Sequence, residues 1–553
     1  MTQRYGEQKA GILRRQNKAI VLFSKNRYNN PIGLRAAKGR DRTMFAAVSS
    51  FGLWGIDTYP VTVEADLSRG LPSFELVGLP DAAVKEARDR VRAAMKNTGL
   101  SFPTGRVVLN LAPAGRKKSG SAYDLAMLLA ILRASGELEA DLSGIAFVGE
   151  LSLGGQLRPL PGVLPMVLGA PALGIREVIV PYGNAAEGAV AQETAVYAAR
   201  SVEEVLDHLR GRVRLPRCDS LAFVAPAMPS CADYADVRGQ ADAKRAVTVA
   251  AAGLHNLLLI GPPGSGKSML ARRLPSILPA PSYAEQVETT KLYSVAGLLG
   301  PEEGLMKERP FRSPHHSVSS AGMVGGGPNP RPGELSLAHN GVLFLDELPE
   351  FPRQVTEALR QPLEDGTVTL SRASGRITYP AQFMLVAAMN PCPCGFFGHP
   401  TKACTCRSGA IERYLSRISG PLLDRIDIHL EVPPVDYASL SDHAPGRSSA
   451  EMRREVEAAR QFQLARFEAM GVPVRANAQI PRSLLDRCCP LSDDAARLLR
   501  MAFDRLGLSA RGYDRILKVA RTIADLDSSE VISGSHLSEA VQYRCLDRKY
   551  WNR

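Results

Sequence analysis

Leu257-Leu258-Leu259-Ile260-Gly261-Pro262-Pro263-Gly264-Ser265-Gly266-Lys267-Ser268 decides the fold. Its four leading apolar residues are the signal of a buried parallel strand, and the next eight fit G-x-x-x-x-G-K-[ST] in full. The glycines let backbone N–H groups turn inward around phosphates, at a helix N-terminus that already favours anions. Lys267 is expected at the β- and γ-phosphates of ATP, and the Ser268 hydroxyl on Mg2+. A Gly-rich turn without a ligand is the plain alternative, and the flanking strand and helix argue against it.

Outward from this loop, Val342-Leu-Phe-Leu-Asp346-Glu347 is four apolar residues ending in paired carboxylates. A buried strand does not end in two acids unless they act at its C-terminal edge, where such sheets place their ligands. Asp346 is expected to hold Mg2+ through water and Glu347 to polarise the attacking water. A third strand, Phe383-Met-Leu-Val-Ala-Ala-Met389, ends in Asn390, an amide suited to positioning that water. Phosphoryl transfer spreads negative charge over the γ-oxygens, so arginines matter next. Arg425 in Pro421-Leu-Leu-Asp-Arg425 and Arg511 in Ser509-Ala-Arg511-Gly are candidates, each weighed against an ordinary solvated charge.

A chain of 553 residues is too long for one core, so two to four domains are expected. The pattern predicts an α/β fold with a basic, disordered extension over 1–43 and an α/β domain over 44–210. A Pro- and Arg-rich linker follows over 211–232, then a nucleotide-binding core over 233–435 and a helical domain over 436–553. With 45% hydrophobic and 22% charged residues and no apolar run near the ~20 that span a membrane, a cytoplasmic protein is expected. The net charge of +12 is concentrated at one end. Residues 1–43 carry eleven Lys/Arg against Glu7 and Asp41, so only +3 belongs to the other 510 residues. That segment reads as a tail touching nucleic acid or as a start assigned before a true beginning at Met44; the early start is favoured.

Cys392-x-Cys394, nine intervening residues, then Cys404-x-Cys406 supplies four soft ligands, enough for a closed structural Zn2+ site. Clustered cysteines in a cytosolic chain suggest metal before disulfide, although C-x-C is a less usual spacing and His399 could replace one ligand. Four reduced surface thiols are the alternative.

Beyond residue chemistry, several long stretches carry a family resemblance. They are Gly78-Leu-Pro-Asp-Ala-Ala-Val-Lys-Glu86, Asp236-Val-Arg-Gly-Gln240, Arg309-Pro-Phe-Arg-Ser-Pro-His-His316, Ala387-Ala-Met-Asn-Pro-Cys-Pro-Cys-Gly395, Ile418 to Arg425 and Ser509 to Asp525. On these, residues 44–553 resemble the YifB/ComM family of magnesium-chelatase-like AAA+ ATPases. The resemblance implies a hexameric ring with ATP between subunits. It makes Asn390 a sensor, Arg425 an arginine finger offered to a neighbour (with Arg417 as the alternative) and Arg511 a second sensor in a helical lid.

The resemblance also implies a substrate. ComM-like members are similar to branch-migration helicases acting on single- or double-stranded DNA and recombination intermediates during natural transformation. Thr367 to Tyr379 alternates like a hairpin, and the equivalent hairpin of related ring helicases points into the central pore. Arg372 and Arg376 are thus candidate phosphate contacts, against the plainer reading of a solvated hairpin tip. His315 and His316 lie in the family's insertion loop, read as a pore or interface loop because adjacent positions make shared metal ligation awkward.

The N-terminal domain resembles the Lon protease catalytic fold, a ribosomal-S5-like α/β architecture. Ser119-Gly-Ser121-Ala122 lies where that protease keeps its nucleophile, but the position of its lysine falls on Leu164, which cannot act as a base. Lys117 and Lys118 lie on the wrong side of the serine. No peptidase activity is expected, and the domain reads as a scaffold or nucleic-acid platform. A magnesium-chelatase motor remains an alternative, disfavoured because it would not need the Lon-like domain.

Overall fold

The computed structural model describes residues 44–218, 232–327, 329–372, 375–434, 446–506 and 508–551. The chain divides into Met1–Arg42 and Thr43–Arg553, and every described residue belongs to the second unit. The expected basic extension and most of the expected linker lie outside the described residues.

The first sheet is built on alternation. β1 (Phe45–Trp54) and β2 (Asp57–Ser68) form a long antiparallel hairpin in which Val61, Val63, Ala65 and Leu67 point inward at every second position. β3 (Ser73–Val77), β4 (Arg106–Ala112), β5 (Ile145–Phe147), β6 (Glu177–Pro181) and β7 (Ala195–Ala199) complete seven strands in the order β3-β4-β2-β1-β5-β6-β7. Helix α1 (Ala82–Asn97) is capped by the Asp81 carboxylate, which accepts from the Val84 amide at 2.9 Å. Helix α2 (Asp124–Ala134) is buried nearly all round, as its uninterrupted apolar run requires. Helix α3 (Val163–Gly169) carries Leu164 in that interior.

The second sheet is all parallel. Its strands are β8 (Leu257–Ile260), β9 (Phe311–Arg312), β10 (Val342–Leu345), β13 (Met384–Met389) and β14 (Ile428–Glu431), in the order β9-β10-β13-β8-β14. Between β10 and β13 the chain makes the antiparallel hairpin of β11 (Thr367–Arg372) and β12 (Gly375–Pro380). Leu257 and Leu259 face one core and Leu258 and Ile260 the other, so β8 is buried on both faces. Each such side chain contributes about 1.5–3 kcal/mol relative to exposure, which is why β8, like β10 and β13, tolerates a run with no polar residue.

The first of these two cores is shared with α4 (Ala241–Gly253) and with the C-terminal helices α8 (Ser449–Met470), α9 (Asp493–Leu506), α10 (Ala510–Leu526) and α11 (Gly534–Gln542). The second is shared with α6 (Tyr283–Ala296), the hairpin and the β1–β2 turn, through Trp54 and Ile56. The two sheets are joined through buried polar groups as well. Ser294 Oγ on α6 donates to Glu187 at 2.6 Å, and the Gly162 amide donates to Ser294 O at 2.9 Å. Among the described residues no helix is long and apolar enough to cross a membrane.

Candidate functional site

Three neighbouring strands, β10, β13 and β8, end on one edge of the parallel sheet, with Ile260 in register with Met389. From Ile260 the chain enters the glycine loop, where Gly266 adopts φ +86° and so favours a residue without a side chain. Helix α5 (Lys267–Arg273) starts directly after it. Lys267 is 8% exposed, and its Nζ donates to the carbonyls of Gly261 and Pro262 at 2.9 Å and reaches Asn390 Oδ1 at 3.3 Å. Burial pulls its ammonium below the usual lysine range, offset in part by Asp346 and Glu347. A buried cation held only by carbonyls and an amide is poised for an anion.

Ser268 Oγ donates to Asp346 Oδ2 at 2.6 Å, and the Glu347 amide donates to Asp346 Oδ1 at 3.0 Å. This hydroxyl and this carboxylate are hard oxygen donors that fit Mg2+. Glu347 has φ +54°, its carboxylate is exposed, and His316 Nδ1 lies 3.7 Å from it. Thus Lys267, Ser268, Asp346, Glu347 and Asn390 converge. His315, by contrast, is turned to Ser317 Oγ at 2.8 Å, with its ring 4.0 Å from that of His316.

One residue of this site was missed from the sequence. Gln240, at φ +53° before α4, donates its Nε2 to Ser265 O at 2.6 Å. Gln240 Oε1 and Ser265 Oγ are both buried and have no hydrogen-bond partner among the described residues. Orphaned polar atoms at the loop are what a nucleotide site without its ligand should contain. The Gly239-Gln240 pair ahead of a helix was the available signal, since only an unusual backbone angle aims that amide at the loop.

The two arginines meet each other and not Lys267. Arg425 Nη2 contacts the Glu364 carboxylate, and Arg511 Nη2 lies 3.5 Å from the same carboxylate. Asn256, the residue before β8, donates its Nδ2 to Arg425 O at 2.9 Å, so Arg425 belongs to the sheet's opposite, N-terminal edge. Four residues of strand span about 13 Å, more than an arginine side chain covers. Arg425 therefore cannot serve the Lys267 site of its own chain. Arg417 is half exposed, with its Nη1 2.8 Å from Glu350 Oε2.

Cys392, Cys394, Cys404 and Cys406 bring their sulfurs within 4.8 Å of one another. Individual separations are 3.4, 3.5 and 3.7 Å. A tetrahedral Zn–S4 centre with bonds of about 2.3 Å has sulfur–sulfur edges of about 3.8 Å, so the four thiols fit such a metal. His399 does not join them: its Nδ1 accepts from the Thr401 and Lys402 amides at 3.1 Å.

In the hairpin, Arg372 pairs with Gly375 and Arg376 with Ser371, which puts the two arginines on opposite faces. Both are exposed, and residues 373–374 at the tip lie outside the described residues. The hairpin is held from outside by Trp54, whose Nε1 donates to Arg376 O at 3.3 Å. In the first sheet, Ser121 Oγ donates to the Glu150 carboxylate and Lys118 Nζ to Pro113 O, so neither side chain is offered to the other. Leu164 is fully buried.

Comparison with known proteins agrees with this geometry. Models described as magnesium chelatase subunit ChlI, subunit ChlI of Mg-chelatase, and the ChlI C-terminal region match residues 233–440, 63–184 and 446–544. The uncharacterized protein YifB of Salmonella typhimurium is 45% identical over 505 residues, covering 91% of this chain and 97% of its own. Competence protein ComM of Haemophilus influenzae is 45% identical over 510 residues, covering 91% and 98%. Lon protease 2 of Bacillus subtilis is 32% identical over 128 residues, 23% of this chain and 22% of its own. The chain belongs to the YifB/ComM family of magnesium-chelatase-like AAA+ proteins, a family that suggests ATPase activity with ATP and Mg2+.

Proposed function

We propose that this chain is an ATP-driven hexameric DNA motor, a branch-migration helicase acting on recombination intermediates during natural transformation. The observation that carries the motor half is the convergence of Lys267, Ser268, Asp346, Glu347 and Asn390 on three adjacent strand ends. Lys267 neutralises the β- and γ-phosphates, Glu347 takes up a proton from the attacking water, and Asn390 orients that water. Ser268 and Asp346 would hold Mg2+, which would supply charge neutralisation at the phosphates. Arg425 acts on a neighbour's nucleotide, because it lies on the edge away from its own. Arg511, at the head of α10, accompanies it as the lid arginine.

The DNA half has separate support. The hairpin offers one exposed arginine on each face and is braced by Trp54, which suits a loop that bears load against phosphates. A relative matched along nearly its whole length is named a competence protein. We further propose that the four cysteines hold a structural Zn2+ behind Asn390, and that the first sheet is a Lon-like scaffold or nucleic-acid platform without peptidase activity. A chelatase motor is the second reading, favoured by the names of the matching models.

Branch migration of a three-strand DNA intermediate decides between these readings. The parent protein is expected to drive migration with ATP and the Glu347→Gln protein to bind the DNA without moving it. ATP hydrolysis by the parent with no migration at all would contradict the helicase reading.

A further inference from the structure

Glu364 has no part in the site described above, yet two of its candidate arginines share it. It lies on α7 (Pro362–Asp365), half exposed, while Arg425 is only 7% exposed. Arg425 donates Nη1 to Pro421 O at 2.7 Å and Nη2 to Glu364, and its Nε is buried without a partner among the described residues. A buried donor left unsatisfied is costly, so this arrangement is not the guanidinium's best. Arg511 stands in the first turn of α10, where the helix dipole disfavours a cation. Nearby Asp427 is committed to Arg515 at 2.6 Å and His255 at 3.5 Å. One carboxylate thus holds two guanidinium groups, neither in its optimal setting, on the face away from the P-loop.

The place of α7 in the chain adds a consequence. Gly366 follows it at φ +65°, and a side chain there would stand 2.8 Å from Gln382 Cγ. The Gly366 amide donates to Pro362 O at 2.9 Å, and its carbonyl accepts from Ala381 at 2.8 Å. This stiff joint opens directly into β11 at Thr367, the first strand of the arginine hairpin.

We propose that Glu364 is a positioning residue that parks Arg425 and Arg511 until the phosphates of a neighbouring copy's nucleotide withdraw them, and that α7 relays the release to the Arg372/Arg376 hairpin. This rests on the reading that Arg425 serves a neighbour's site. Arginine release and hairpin position are then two views of one equilibrium. DNA on the hairpin speeds hydrolysis next door by weakening the Glu364 contact.

The test is ATP turnover by the full-length protein with and without single-stranded DNA, for the parent, Glu364→Gln, Glu364→Asp and Arg425→Ala. Coupling of this kind is typically worth about fivefold or more. Glu364→Gln should raise DNA-free turnover by that factor and bring the ratio with and without DNA towards one. Glu364→Asp, which keeps the charge, should restore part of the ratio. Glu364→Gln turnover that matches the parent, or falls equally with and without DNA while Arg425→Ala is inactive, overturns the proposal alone. Full turnover by Arg425→Ala overturns the proposal together with the reading beneath it.

Discussion

Asp427 ties the nucleotide-binding sheet to the C-terminal helices. Its carboxylate takes Arg515 of α10 on one oxygen and the Asn256 amide on the other, with His255 alongside. Burial opposes the charge, but Arg515 and His255 win and hold the carboxyl well below its usual value of 3.8. A depressed acid stabilises the fold above its unfolded pKa, and that contribution is lost as pH falls towards the folded value. The parent should therefore lose stability steeply below about pH 4, whereas Asp427→Asn should lack that part of the profile. At neutral pH the variant leaves the part-buried Arg515 without its counter-charge, a loss of about 3 kcal/mol at most by urea unfolding. Asp346, Glu347 and Asn390 were legible because they stand just past the ends of apolar strands, and Lys267 because it closes the glycine loop that follows another. Glu364 was not, since its partners lie 61 and 147 residues away and nothing local marks it.

Among the elements, the parallel strands β8, β10 and β13 and the hairpin could be read from the sequence because burial on both faces leaves no polar residue in those strands and alternation marks β11 and β12. The two-residue β9 could not, being a strand only through its pairing with β10. The cysteine loop was legible in composition, and the structure adds that His399 is spent on backbone amides. Within the cluster the Cys394 thiol is drawn down to about 5, the Phe396 and Thr405 amides outweighing its desolvation. A metal-binding loop following Asn390 should stiffen the strand end that carries it. Purified parent protein is expected to hold one zinc per chain by elemental analysis, and Cys392→Ser/Cys404→Ser none, with a lower thermal midpoint. Parent protein that is fully active and metal-free would remove the zinc from the account.

At the scale of the whole molecule, the proposed function treats the chain as two half-sites. Lys267 with its acids stands at one edge of the parallel sheet, whereas Arg425, which shares Glu364 with Arg511, stands at the other. The N-terminal part of the chain contacts the hairpin through Trp54 and α6 through Glu187 and Ser294. None of this long-range arrangement was written in local patterns, because it depends on contacts between residues 61 to 322 apart. The most direct measurement is ATP turnover per chain across protein concentration, for the parent and for Glu347→Gln. The parent should show turnover per chain that rises as copies assemble. The variant should still bind ATP but lose at least about a hundredfold in rate. Turnover per chain that is constant down to a demonstrated monomer, or undiminished in Glu347→Gln, would contradict a shared ATPase site.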